Sequence, residues 1–309
     1  MRVTSNTYST LILNSSQNEQ SQLATIQQQI STGQSVQFAS DDPLSYQEAA
    51  QTQTSLAQLN TYSTAANEAS ALTTSNNSAM TSLHQLIAQA SELATSVTSN
   101  ESASSLADIG TEMSSLVSQI TSIANQQSAN GNYLFGGTSN QPPITSTGAY
   151  NTATNGNETS IDVQPGNAVQ TGIVAGRPGS PAVSGFLYDA TTGVDVLGAI
   201  NQTISDLNSG NGTAVQSTDL PALNNALNLV SQYVGSTAAS MSAVQTASTS
   251  LQQQITAQGD QLNSLTQTNL PDATLQLQQI QTQYQASLEA GSRILGLSIL
   301  NYISAVPTS

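Results

Sequence analysis

The sequence predicts a mainly α protein. Helices at the two ends pair with each other, a helical rod lies between them, and a small β-rich outer insert is hung on the rod. Three observations lead there. Apolar residues recur at steps of three and four along both flanks of the chain, the spacing of one helix face. Between about Gly131 and Gly193 the texture changes, and Gly, Pro, Asn and Thr dominate. Aromatic residues make up 4% of the chain and Trp is absent, a stock better suited to thin helical bundles than to one thick core.

Each element follows from local chemistry. Leu23, Ile26 and Ile30 form a short seam that stops at Thr32-Gly33, where glycine suits a helix C-terminus. Val36 and Phe38 fall in a linker. Ser40, Asp41 or Asp42 can cap the next helix, with Pro43 in its first turn. Met80, Leu83, Ile87, Ala90, Ala94 and Val97 then step by three and four. After a polar break at Asn100-Glu101-Ser102, Leu106, Ile109, Met113, Leu116, Ile120 and Ile123 repeat the pattern. Two such seams predict either a helix pair or one kinked rod.

Within the insert, Ile161 and Val163 alternate, as do Val169 and Ile173, between turns at Pro165-Gly166-Asn167 and Arg177-Pro178-Gly179. Val194, Leu197, Ile200, Ile204 and Leu207 restore the helical period up to Ser209-Gly210-Asn211-Gly212. Asp219 and Pro221 are expected to start the next helix, whose seam begins with Leu220, Leu223, Leu227 and Val230 and continues to Leu262 and Leu265. Pro271 marks a joint, and the last helix carries Leu277, Ile280, Tyr284 and Leu288. These breaks predict a terminal coiled-coil domain (1–40 and 271–309), a helical rod domain (41–137 and 194–270) and a β-rich outer domain (138–193).

Charge excludes several functions. Only 7% of residues are charged, against roughly a quarter in an average domain. Arg2, Arg177 and Arg293 are the only basic side chains apart from one histidine, and the net charge is -15. No basic patch can be built to neutralise the phosphates of a nucleic acid or an anionic membrane. Surface polarity rests on Gln, Ser, Thr and Asn, which do not depend on pH. Two explanations fit: tolerance of an acidic external medium, or compositional drift toward low Lys and Arg. Cysteine is absent, so disulfides and thiolate chemistry are excluded. Met1-Arg2-Val3-Thr4-Ser5-Asn6 does not open onto an apolar stretch, so no cleaved secretory signal is expected, and no run reaches the length of a membrane span.

Candidate chemistry is thin. His84 stands on the rod beside Leu83 without a second histidine or a cysteine, short of the converging ligands a metal needs. Asp41 and Asp42 resemble a paired-carboxylate acid/base site, but a cap before Pro43 accounts for them. Gly131, Gly136 and Gly137 lack the lysine of a phosphate-cradling loop. Asn157-Glu158-Thr159 and Asn211-Gly212-Thr213 match a sugar-acceptor pattern that a chain rich in Asn, Ser and Thr meets by chance. No catalytic residue, cofactor or metal is expected. Amphipathic helices at both ends point to an assembly protein.

Particular segments carry a family resemblance. Met1-Arg2-Val3-Thr4, Gln29-Ile30-Ser31-Thr32-Gly33 and Ser40-Asp41-Asp42-Pro43 resemble the amino-terminal region of bacterial flagellins and their relatives. Asn130-Gly131-Asn132-Tyr133-Leu134-Phe135-Gly136-Gly137 is similar to the end-of-rod motif of the hook-filament junction proteins within that superfamily. So is the ending from Ala286-Ser287-Leu288 to Gly296-Leu297-Ser298-Ile299-Leu300-Asn301-Tyr302. One departure is Gln34, where the family usually carries a basic residue.

The resemblance implies a nested flagellin-like fold and a structural role in the flagellum: a ring of subunits joining hook to filament. It implies export as an unfolded chain by the flagellar type III route to an extracellular site. Its implied partners are further copies of itself, the other hook-associated junction protein, flagellin and an export chaperone. The terminal helices, too short of apolar residues to stand alone, would order only on assembly. Leu23, Ile26, Ile30, Leu277, Ile280, Tyr284 and Leu288 would form the assembly interface. Tyr133, Leu134, Phe135, Gly136 and Gly137 would form the rod-end motif. A filament flagellin is the alternative reading, and a surface adhesin or coiled-coil binding module the second.

Overall fold

The computed structural model describes residues 5–146, 148–154 and 156–304, with side chains placed from residue 10 to residue 293. The Met1-Arg2-Val3-Thr4 segment lies outside the described residues. The ending Gly296–Tyr302 is described in backbone only, within a helix.

The protein is mainly α. Its order is α1 (Ser5–Thr32), α2 (Pro43–Ser96), α3 (Ala103–Ala124), β1 (Ser160–Gln164), β2 (Asn167–Gln170), α4 (Val196–Asn208), a short α5 (Gly212–Ala214), α6 (Leu220–Thr266) and α7 (Leu270–Ser304). It forms two compact units. A terminal unit combines residues 1–57 with 256–309, and a central unit spans 58–255. Helices α2 and α6 contribute to both. These limits fall inside helices, whereas the sequence-derived divisions follow helix ends and composition.

The central unit holds the main core. Met80, Leu83, Ile87, Ala90, Ala94 and Val97 of the predicted seam are all buried. They join Leu106, Met113, Leu116 and Ile120 of α3, Val196, Leu197, Ile200 and Leu207 of α4, and Leu223, Ala226, Leu229 and Val230 of α6. Ile109 and Ile123 pack partly buried against this cluster. The break at Asn100-Glu101-Ser102 separates two helices rather than kinking one. The Ser102 hydroxyl caps α3 by accepting from Ser105 N at 3.2 Å, which satisfies one of the free amides of the first turn.

Regular strand is confined to one antiparallel hairpin, closed by Pro165-Gly166 with Gly166 at φ +74°. Its inward residues, Val163 and Val169, sit in a second cluster on the small side chains Ala66 and Ala69 of α2 and on Val244, Ala247 and Leu251 of α6. Ile173 lies beyond the end of β2. The rest of the 138–193 segment is irregular chain stapled by single bridges, such as Gly136 with Val174 and Tyr188 with Asp195. The Tyr150 hydroxyl faces the carbonyl of Leu187 at 2.9 Å and Oδ1 of Asp195 at 2.6 Å. Oδ1 of Asp195 also caps α4 through Gly198 N at 2.8 Å. Burial and the neighbouring Asp195 carboxylate push the Tyr150 pKa far up, so this phenol stays a donor.

One sequence expectation is corrected. Asp219 and Pro221 do not start a helix. The helical path begins at Gly212, capped by Oδ1 of Asn211. It widens into a π turn over Val215–Asp219, where Leu220 N donates to the carbonyl of Val215, and then runs on as α6. Pro221 has no N–H and crowds the preceding turn, so a regular α path would be broken there. The wider turn accommodates it.

This distribution of burial predicts how substitutions partition. Phe186 is fully buried, its ring edge-on to Phe135 at 4.8 Å. Phe186→Ala should destabilise the protein by about 3–5 kcal/mol. Leu288→Ala, at a residue 49% exposed, should change the stability of the free chain by under about 0.5 kcal/mol. Urea unfolding followed by circular dichroism checks both.

Candidate assembly surface

Helices α1 and α7 pair in the terminal unit, and the pairing is antiparallel. Gly291 meets Ile12 toward the chain ends, and Gln34 bridges to Gln267 just beyond α1. The shielded positions of α1 are Ile12, Ser16, Glu19, Leu23, Ile26 and Ile30 in one row, with Gln29 half-buried beside it. Those of α7 are Ala273, Leu277, Ile280, Tyr284, Ser287 and Gly291. Both rows step four, three, four, three, four, the repeat of a coiled-coil seam. Ile26 and Ala273 are buried, and the others are half-buried.

The seam has two halves of different character. Toward the linkers it is apolar: Leu23, Ile26, Ile30, Ala273, Leu277, Ile280 and Tyr284. Toward the chain ends it turns mostly polar and small, with Ser16, Glu19, Ser287 and Gly291, and Ile12 as its apolar member. Oε1 of Glu19 accepts from the hydroxyls of Ser287 at 2.8 Å and Ser15 at 3.3 Å. A glycine inside a helix costs about 1 kcal/mol relative to alanine, but a Cβ at Gly291 would lie 3.1 Å from Cγ2 of Ile12. The glycine therefore lets the two backbones approach.

Leu288 is not on this seam. It is exposed on α7, and the four-three phase passes through Ser287 instead. Exposed with it are Leu11 and Leu13 of α1, Phe38 of the linker, Leu44 and Tyr46 of α2, and Leu270 and Leu275 of α7. Among the described residues, every large hydrophobic side chain that is exposed belongs to the terminal unit.

The linkers are built for fixed geometry. Gly33 ends α1 at φ +70°, a conformation that costs glycine little. Ser35 N donates to the carbonyl of Thr266 at 2.7 Å, and Thr268 N to the carbonyl of Gly33 at 2.9 Å, tying the two linkers together. Gln34 is exposed and takes part through its backbone bridge to Gln267. Oδ2 of Asp41 accepts from Gln37 N and Phe38 N, holding the turn before α2. Asp42 caps α2, with Oδ1 accepting from Leu44 N and Ser45 N and Oδ2 from the Ser45 hydroxyl. Backbone amides hold the Asp41 carboxyl below the usual carboxylate range, and the Ser45 hydroxyl and amide do the same for Asp42. The two acids serve separate backbone turns.

The Tyr133–Gly137 motif sits in the central unit. Leu134 and Phe135 are buried, and Phe135 packs on Phe186, which in turn meets Tyr233 edge-on at 6.4 Å. Leu134 N donates to Gln126 O, and Phe135 O accepts from Ala175 N. Gly136 has no room for a side chain, since a Cβ would lie 2.4 Å from the carbonyl of Gln141, and Gly137 holds φ +64°. Tyr133 is half-buried on the wall of a groove that it lines with Asn132, Asn140, Leu72 and Ile161. The motif thus fastens the turn after α3 to the core. His84 is half-buried, and among the described residues no three His, Cys, Asp or Glu side chains gather as a metal site. No helix among the described residues is long and apolar enough to cross a membrane.

Residues 3–140 match the bacterial flagellin N-terminal helical region. No curated protein matches the chain by sequence. Solved structures share its fold. A putative flagellar hook-associated protein from Vibrio parahaemolyticus aligns with TM-score 0.56 and 17% identity, over 74% of this chain and 97% of that one. Bacillus cereus FlgL aligns with TM-score 0.56 and 19% identity, over 69% and 99%. The flagellar junction protein FlgL from Legionella pneumophila aligns with TM-score 0.55 and 11% identity, over 71% and 100%. At these identities the common property is the fold, a mainly α, flagellin-like chain, over about 70% of this protein.

The close approach at Gly291 makes a direct prediction. Gly291→Ala should be nearly neutral, since the helix gain of about 1 kcal/mol offsets a tight contact. Gly291→Val should loosen the α1/α7 pair by about 1–3 kcal/mol through overpacking. The rate of proteolytic cleavage within residues 10–30 reads this, rising for the valine variant and staying near the parent rate for alanine.

Proposed function

We propose that the protein is a structural subunit of the bacterial flagellum, of the hook-associated protein 3 kind, and that copies of it form a ring joining hook to filament. The observation that carries this reading is the placement of exposed apolar side chains. The central unit buries its own, while the terminal unit leaves Leu11, Leu13, Phe38, Leu44, Tyr46, Leu270, Leu275 and Leu288 in water. A surface of that kind, shared between the part of the chain that matches the flagellin amino-terminal region and α7, is suited to burial against neighbours. The similar solved structures are flagellar hook-associated and junction proteins, which supports the reading.

In this reading the division of labour follows the chain. Residues 1–40 and 271–309, with the adjoining Leu44, Tyr46 and Leu270, supply the assembly contacts, and the mostly polar outer half of the α1/α7 seam leaves the terminal helices weakly held in the free chain. Burial of the exposed leucines in the ring offsets the cost of ordering them. Residues 41–137 and 194–270 give each subunit its rigid helical body, and residues 138–193 form its outer surface. The partners are other copies of the chain, the second hook-associated junction protein and flagellin, with a chaperone before export. Export without a cleaved signal and an extracellular position at the hook-filament boundary complete the assignment. A chain without cysteine crosses an export channel unfolded without first reducing a disulfide. The role is mechanical and non-enzymatic.

Deletion of the gene, followed by electron microscopy of the cells and measurement of flagellin in the medium, tests the proposal. Bare hooks with flagellin shed into the medium are expected. Cells that lack the filament protein itself while the junction proteins remain on the hook would make this chain the flagellin. Normal filaments would reject both and favour an adhesin or coiled-coil binding module.

A further inference from the structure

Asp219 is the one fully buried acid among the described residues, at 2% exposure. It closes the π turn between α5 and α6, beside Leu220 and one turn from the buried Val215. Its Oδ2 has no hydrogen-bond donor. Among the described residues no cation is bonded to it: the chain has no lysine, Arg177 is tied to the carbonyl of Thr154, and His84 stands on α2 about three turns from the Val97 end of that helix, which the π turn reaches through Gln216. The side chain that faces Asp219 is another acid, Asp206 of α4, which already accepts from Nε2 of Gln202 at 2.9 Å. Two carboxylates in contact, one of them shut from water, cannot both stay ionised.

We propose that Asp206 and Asp219 share a proton and form a clasp that fastens α4 to the π turn, strengthening as the medium acidifies. The proton turns a repulsive contact into an O–H···O hydrogen bond and gives the orphaned oxygen a role. Burial first, and the Asp206 charge second, push the Asp219 pKa up to about 6. The other titratable groups on neighbouring elements do not compete for the position. Glu101, on the segment between α2 and α3, is held by the hydroxyls of Thr98 and Ser105. Asp195, at the start of α4, is bound to Tyr150 and Gly198. Asp108 and Glu112 of α3 are exposed, and Asp260, far along α6, lies in the terminal unit.

The sign follows from linkage. The folded pKa is raised above its unfolded value, so the fold binds the proton more tightly than the unfolded chain does. Stability from the clasp is present below the unfolded pKa and is lost as pH rises through about 6. Asp41, Asp42, Glu101 and Asp189 are all held low by hydrogen bonds, so they lose their contributions only in stronger acid. Glu158 is raised by burial and acts in the same direction as Asp219, so the comparison must isolate Asp219.

The test is urea unfolding of the full chain at pH 7 and pH 5, followed by circular dichroism, for the parent protein, Asp219→Asn and Asp206→Asn. From pH 7 to pH 5 the folded-to-unfolded ratio of the parent should rise about tenfold more than that of Asp219→Asn. Asp206→Asn should show a reduced dependence, because one of the two causes is removed. That variant gives the same reading if Asp219→Asn fails to fold. Equal pH dependence in the parent and the variants that fold would overturn the proposal. So would stabilisation of the parent at pH 7 by millimolar Ca²⁺ that Asp219→Asn lacks, which would mean a cation and not a proton fills the gap.

Discussion

Apolar side chains are scarce in this protein, and nearly all of those that are buried lie in the central unit. Its two clusters bury the seams of α2, α3, α4 and α6 together with the hairpin valines. Among the described residues of the terminal unit, Ile26, Ala49 and Ala273 are the buried apolar side chains, and none of them is fully enclosed. Because folding stability is a small difference between burial and chain entropy, the two units cannot be equally secure. One is a self-sufficient fold. The other leaves much of its apolar surface exposed, which is the state expected of a part completed by neighbouring molecules. The mostly polar outer half of the α1/α7 seam has the same consequence, because a seam dominated by Ser16, Glu19, Ser287 and Gly291 brings two helices together without holding them firmly.

Much of this was legible in the chain. The three-four spacing from Met80 to Val97 marked the buried face of α2, and Gly33, Ser102 and Pro43 marked helix ends, because capping is local chemistry that a sequence displays. The terminal seam was legible only in part. Leu23, Ile26, Ile30, Leu277, Ile280 and Tyr284 are on it, but Leu288 is not, because the heptad phase continues through a serine and a glycine that hydrophobicity cannot flag. Glu19 was missed for the same reason. The lone acid of α1 was the available signal, and its partner Ser287 is remote in sequence. The π turn before Pro221 was hidden because Asp219 and Pro221 mimic an ordinary helix start. In the 138–193 segment the alternation of Val169 with Ile173 suggested more strand than forms, since isolated bridges and side-chain hydrogen bonds do the fastening there.

The shortage of basic residues shapes the interior as well as the surface. With no lysine and three arginines, acids in this fold have to be answered by hydrogen bonds, by water or by protons. Asp41, Asp42, Glu101 and Asp189 take the first course, each serving backbone amides or hydroxyls. Asp219, facing another carboxylate without water, is left with the last. A protein of this composition therefore keeps its surface polarity independent of pH while placing one proton-sensitive contact at a helix junction. The resulting chain suits a permanent structural part, with a rigid central body and terminal helices whose firm structure depends on contact with others.

Amide hydrogen exchange, compared between the free chain and the assembled polymer, tests that account most directly. The account predicts strong protection of the α2, α3, α4 and α6 amides of the central unit in both states. It predicts weak protection of α1 and α7 in the free chain and strong protection once assembled. Terminal helices as well protected in the free chain as in the polymer would contradict it, because the terminal unit would then be complete without its neighbours.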